Sequence, residues 1–192
     1  MEGFSWFKGI EEYVNALSSG DAVPGGGSAA AAEASFGAAL IMMAIRTTMR
    51  LKKTDPAIIP ALQNNLNEIE ASFEELKTLI QEDSIAYQKY VTRKKEAKTN
   101  PEISLDEESK AIAMIPIQTA LGAMKVLKNI EAVKSGISQI IVSDMLCAQH
   151  MLKSSLRCSA ENMNINLPFV SDESLKDLLK QTIEQCEKAW GE

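Results

Sequence analysis

Hydrophobic residues along this chain recur three and four positions apart, the repeat of a helix that buries one face. The pattern is plainest in Leu62, Leu66, Ile69, Phe73, Leu76, Ile80, Asp83, Tyr87 and Tyr90, where spacings of four and three alternate. It returns in Ile137, Ile141, Asp144, Ala148 and Met151, and its continuation through Ser155, Cys158 and Asn162 turns polar.

Helix-breaking and capping residues divide the sequence into about six helical segments. The first is expected from about Ser5 to Ser19, followed by a turn at 20–27, and the second from Ser28 to about Lys53. Asp55-Pro56 reads as an N-cap with proline at the first helical position, opening a third segment to about Lys98. Asn100-Pro101 breaks it, and Ser104-Leu105-Asp106-Glu107 reads as a capping box for a fourth segment ending near Ser135-Gly136. Pro116 inside that segment removes a backbone donor and is expected to kink it. A fifth runs from Ile137 to about Met163, and Ser171 or Asp172 caps a sixth that reaches about Trp190.

These segments predict an all-α fold over a single domain, 1–192: an up-and-down helical bundle with one very long helix. Some 40 residues of helix span about 60 Å at 1.5 Å per residue, whereas a globule of this length has a radius of gyration of about 16 Å. The long stripe is therefore expected to pack partly against a second copy, in an intertwined homodimer.

Two acids break the apolar stripes. A carboxylate buried without a partner costs several kcal/mol or takes up a proton, so Asp83 and Asp144 are either paired or solvated structurally, or are functional. Tyr87 and Tyr90 follow Asp83 on the same face, where they either pack the core or stack on a flat ring.

Composition narrows the classes. Aromatics are 5% of the 192 residues, which favours helices over sheets. The formal charge of −6 disfavours a nucleic-acid partner. Cys147, Cys158 and Cys186 are widely spaced, odd in number and without a CxxC, which points to a reducing, cytoplasmic setting. No secretory signal is visible in the first residues. The most apolar stretch, Ser28 to Ile45, contains Glu33 and is short for a span, so no membrane partner is expected. His150 and Cys147 form a pair without further ligands in view, so no metal is expected.

The sharpest local signal is Pro24-Gly25-Gly26-Gly27-Ser28 followed by an alanine run. Glycines let a backbone approach a ligand closely, and a helix start presents free N–H groups to an anion or a carbonyl oxygen. A structural turn is the alternative reading. In its wider setting, DAVPGGGSAAAAEASFGAAL, the motif resembles the opening signature of the cyclodeaminase and methenyltetrahydrofolate cyclohydrolase family, the C-terminal domain family of formiminotransferase-cyclodeaminases. Glu82-Asp83-Ser84-Ile85-Ala86-Tyr87, Ala113-Met114-Ile115-Pro116-Ile117, Ser143-Asp144 and Asn162-Met163-Asn164-Ile165-Asn166-Leu167 resemble further elements of that family in order.

The resemblance covers about residues 10 to 170 and implies an all-helical, dimeric enzyme of folate one-carbon metabolism. It would hydrolyse 5,10-methenyltetrahydrofolate to 10-formyltetrahydrofolate, or cyclise 5-formiminotetrahydrofolate with loss of ammonia, without a metal or redox cofactor. Asp83 and Asp144 would be the catalytic acids. Pro24, Gly25, Gly26, Gly27, Ser28, Tyr87 and Asn162 would bind the folate. The Arg46, Arg50, Lys52, Lys53 cluster would either hold a glutamate tail or be a solvated helix end. Met42 stands where the family often has an acid, and an inactive folate-binding relative or a helical dimeric scaffold are the alternatives that this departure and the turn reading leave open.

Overall fold

The structure, a computed structural model, describes residues 6–191. It contains α1 (Trp6–Ser18), α2 (Gly26–Arg50), α3 (Ile59–Ala97), α4 (Asp106–Val133), α5 (Val142–Asn166) and α6 (Glu173–Gly191), with no strand among the described residues. The expected start of the first helix at Ser5 lies outside them.

Helices α2 to α5 form an up-and-down four-helix bundle. Two of the antiparallel pairs are marked by two well-separated contacts each. Arg46 pairs with Glu70 at one end of α2 and α3, and Ser28 meets Asp83 at the other. Asn166 Nδ2 donates to Ile112 O at 2.9 Å between α5 and α4, and Gln149 donates to Glu131 at 3.2 Å farther along. Small residues bring α2 close to α5: a Cβ on Gly37 would lie 2.9 Å from Leu152 Cγ, and Ser155 Oγ donates to Ala30 O at 2.8 Å. Helix α6 packs outside, against α5 and α4. Between these helices lies one core, with Ile41, Ile45, Ile69, Leu76, Ile130 and Leu152 fully buried.

Local chemistry sets most boundaries as expected. Asp55 Oδ1 accepts from Ala57 N at 2.9 Å, and a single 3₁₀ turn leads into α3. Asp172 Oδ1 accepts from Ser174 N at 2.9 Å to open α6. Two expectations are corrected. Ser104 to Glu107 is not a capping box; instead the Ser104 hydroxyl accepts from Asp106 N at 3.1 Å, two residues on. The fifth helix starts at Val142 rather than Ile137, because residues 137–141 turn through a short 3₁₀ segment first. Helix α4 runs continuously through Pro116, which is buried.

Helix α3 has 39 residues, about 58 Å at 1.5 Å per residue. Its buried face keeps Leu62, Leu66, Ile69, Leu76 and Tyr90 of the expected stripe and adds Ser72, Leu79 and Ala86 beside it. Phe73 and Ile80 lie on its flank and Tyr87 is exposed. Helices α2 and α4 are long and apolar enough to cross a membrane, but most of each apolar window is buried against the chain's other helices.

Candidate functional site

The PGGGS segment forms the entry to α2, and its glycines face two other helices. Gly26 and Gly27 are already helical. A Cβ on Gly26 would meet the Asn162 amide at 3.6 Å, an ordinary contact. A Cβ on Gly27 would lie 2.1 Å from Asp83 Oδ1 and 2.7 Å from Asp83 Cγ, which no side chain could occupy without displacing the carboxylate. Glycine at 27 is what lets Asp83 reach the first turn of α2.

There Asp83 Oδ2 accepts from Ser28 N at 2.9 Å. Ser28 Oγ donates to Ile80 O at 2.8 Å. Its proton thus engaged, it accepts from the Tyr13 hydroxyl at 2.9 Å. Three helices, α1, α2 and α3, converge on one hydroxyl. Asp83 is half-buried. Burial pushes its carboxyl above the ordinary 3.8, and the Ser28 N–H opposes the shift. Burial also raises the Tyr13 phenol above 10.0; the Ser28 hydrogen bond lowers it, and the negative charge of Asp83 adds to the rise.

Beside this network a cavity of about 450 Å³ opens between α1, α2 and α3. Ile10, Val14, Phe36 and Ile80 give it apolar walls, and Tyr13 and Glu33 supply polar groups. Ligand sites commonly have this size and make-up, with a few polar groups in an apolar cleft. Burial raises the Glu33 carboxyl above 4.5, and a hydrogen bond with Ser154 on α5 opposes it.

The other expected site residues divide. Pro24 and Gly25 lead into the network, and Gly25 O accepts from Ala29 N at 3.0 Å. Asn162 lies beside Gly26 and donates to Cys158 O at 2.8 Å. Tyr87, one turn beyond Asp83, is 40% exposed. Tyr90 packs in the core, its ring 6.1 Å from that of Phe169.

Asp144 lies elsewhere. Ala148 O would be 3.1 Å from a Gly37 Cβ, so Asp144, one turn earlier on the antiparallel α5, is level with about Ile41. That is thirteen residues from Ser28, or about 20 Å along α2. The buried face of α5 keeps Ala148 and Ser155 of the stripe read from sequence but takes Met145 and Leu152 in place of Asp144 and Met151. Asp144 therefore sits on the flank in the first turn of α5, where the helix dipole favours an acid. Arg46 is eighteen residues from Ser28, about 27 Å along the helix. Met42 is 5% exposed and belongs to the core.

Tyr13 and Glu33 were not among the expected site residues. Glu33 carried a signal, being the one charge between Ser28 and Ile45; Tyr13 carried none. Among the described residues no group of three or more His, Cys, Asp and Glu side chains could hold a metal.

Residues 9–185 match the sequence profile of the formiminotransferase-cyclodeaminase family. The chain belongs to that family. It is 25% identical over 182 residues to formimidoyltransferase-cyclodeaminase from Gallus gallus, covering 92% of this chain and 34% of the relative. This cyclodeaminase-family chain thus spans about a third of that relative's length. Its fold is that of the crystal structure of formiminotetrahydrofolate cyclodeaminase from Thermotoga maritima, with a TM-score of 0.84 at 20% identity, covering 99% of this chain and 91% of that one. The helical architecture read from sequence agrees with that neighbour.

Proposed function

We propose that the chain acts on the one-carbon unit of a reduced folate, closing 5-formiminotetrahydrofolate to the methenyl form with release of ammonia. Hydration of 5,10-methenyltetrahydrofolate to the 10-formyl form is its close chemical counterpart. Cyclodeamination leads because the names of both relatives carry it. In each reaction a tetrahedral carbon forms between the two folate nitrogens and then loses one nitrogen substituent. The steps need a group that takes a proton from the attacking N–H or water and returns one to the departing nitrogen.

The observation that carries this reading is Asp83, held at the glycine-opened start of α2 beside a ligand-sized cavity. Its raised proton affinity suits a group that both accepts and returns protons. Tyr13 and Ser28 fix its surroundings by hydrogen bonds, and Gly27 gives its carboxylate close access to the start of α2.

We also infer a homodimer. The chain exposes 11250 Å² for 21.0 kDa, against about 9000 Å² for a compact monomer of that mass. None of residues 8–18 in α1 is buried, although the helix is amphipathic, and Ile10, Val14, Phe36 and Met43 are all exposed. Asp144 would enter the reaction only as a group supplied by the second subunit.

The test is to incubate the purified chain with 5-formiminotetrahydrofolate and follow both the near-UV chromophore of the methenyl product and free ammonia. Methenyltetrahydrofolate is followed separately for chromophore loss. Rates no higher than the spontaneous ones for both substrates would overturn the proposal.

A further inference from the structure

Glu33 is placed where an ordinary surface acid would not be. It lies five residues along α2 from Ser28, about 7.5 Å, on the cavity-facing row formed by Ala29, Ala32, Glu33 and Phe36. It is the only charged side chain among the described residues lining that cavity. No cation pairs with it among the described residues; its hydrogen bond comes from the Ser154 hydroxyl at the α2–α5 seam. Of the Tyr13–Ser28–Asp83 network, Tyr13 lines the same cavity from α1, and Ile80, whose carbonyl accepts from Ser28, lines it from α3. One carboxylate, that of Glu33, therefore stands in the apolar slot itself, while Asp83 is joined to its wall through Ser28 and Tyr13.

Each carboxylate accepts one hydrogen bond, Asp83 from the Ser28 N–H and Glu33 from Ser154, and Glu33, which lines the cavity, keeps acceptor capacity for a ligand there. An apolar slot with a single carboxylate at its edge suits a flat ring whose rim presents paired N–H donors. A carboxylate meets two parallel donors with both oxygens, and such charge-assisted pairs are stronger and more directional than neutral ones.

We propose that Glu33 is the pterin-reading residue: its carboxylate accepts the 2-amino and ring N3–H donors of a reduced folate whose ring lies in the α1–α2–α3 cavity. This rests on the folate reading above, and it assigns Asp83 to the one-carbon end of the ligand. Alanines at 29 and 32 leave room for the ring, and Phe36 and Ile80 flank it.

The experiment is a calorimetric titration of the full chain with tetrahydrofolate, with methenyltetrahydrofolate and with an analogue lacking the 2-amino group. Glu33→Gln preserves size and removes the charge and one acceptor. We expect it to weaken both natural ligands by the same factor, at least about tenfold, as for a hydrogen bond to a charged group. The analogue should bind the wild type correspondingly weakly and Glu33→Gln no worse. Glu33→Asp, which keeps the charge but shortens its reach, should fall between them, and circular dichroism checks that each variant is folded.

Unchanged affinity in Glu33→Gln would overturn the assignment while leaving the folate reading intact. A loss confined to the cationic methenyl ligand would also overturn it, making Glu33 a counter-charge to the one-carbon unit. Absence of binding by the wild type would overturn the folate reading, and this inference with it.

Discussion

The carboxylate of Asp83 and the Cα of Gly27 are packed so closely that a Cβ on Gly27 would stand 2.1 Å from Asp83 Oδ1. That contact joins the glycine motif to the acid 56 positions later. It also distinguishes Gly27 from Gly26, where a Cβ would have 3.6 Å to its nearest neighbour.

Gly27→Ala should expel the Asp83 carboxylate and break its bond to Ser28 N. We expect a stability loss of about 1–3 kcal/mol, the usual range for overpacking, together with loss of turnover. Gly26→Ala should leave stability within about 0.5 kcal/mol, as for surface changes away from special features. Urea melts of both variants check this; equal losses would mean that the carboxylate yields freely.

Asp83→Asn should lower turnover at least about 100-fold, the low end for loss of a general base, while leaving the fold intact. The raised Asp83 carboxyl means that the folded protein holds this proton more tightly than the unfolded chain. The ionised form then disfavours folding, so this group's contribution declines as pH rises from its ordinary 3.8 through its folded value. The melting temperature of the variant should consequently rise relative to wild type from acid to neutral pH. A difference that shrinks with rising pH would show the carboxylate to be a net stabilising cap.

Asp83 and Asp144 can share a site only across subunits. Asp144→Asn should be inactive in the homodimer if Asp144 contributes to the reaction. Refolding it together with Asp83→Asn should then restore part of the activity, because one site of each mixed dimer regains both acids. Full activity of Asp144→Asn alone would remove it from the mechanism. Sedimentation equilibrium tests the dimer itself, and Met43→Glu, at an exposed apolar position of α2, should shift it towards monomer.

The three thiols should react in sequence with a disulfide reagent. Cys147 is exposed and should react first. Burial and the charge of Glu33 raise the Cys158 thiol, so it should follow more slowly despite its exposure. Cys186 is buried and its thiol is pushed up to about 11, so it should react only on unfolding. Thiol counting with and without denaturant, combined with single Cys→Ser variants, checks the order.

Much of the architecture is written in local rules. Asp55-Pro56 and Asp172 mark helix starts because capping acts over two or three residues, and α3 keeps its length because nothing interrupts its helix-forming run. The stripes were less exact. Spacing gives the width of a buried face but not its rotation against the neighbouring helices, so Tyr87 and Asp144 lie on flanks while Leu76, Asp83 and Tyr90 face inward.

Six helices, the glycine-rich entry to α2 and the anomaly of an acid at position 83 are legible in the chain, because periodicity, capping and conformational freedom depend on near neighbours. It took the packed fold to show that Asp83 serves the start of α2 while Asp144 lies about 20 Å away along the helix axis. It alone brought Tyr13 and Glu33 to the same cavity. Those relations depend on which helices pack together and at what rotation. That is settled by the close approach allowed at Gly27 and Gly37, by the rotation of each buried face, and by burial of the shared core, none of which a linear spacing encodes.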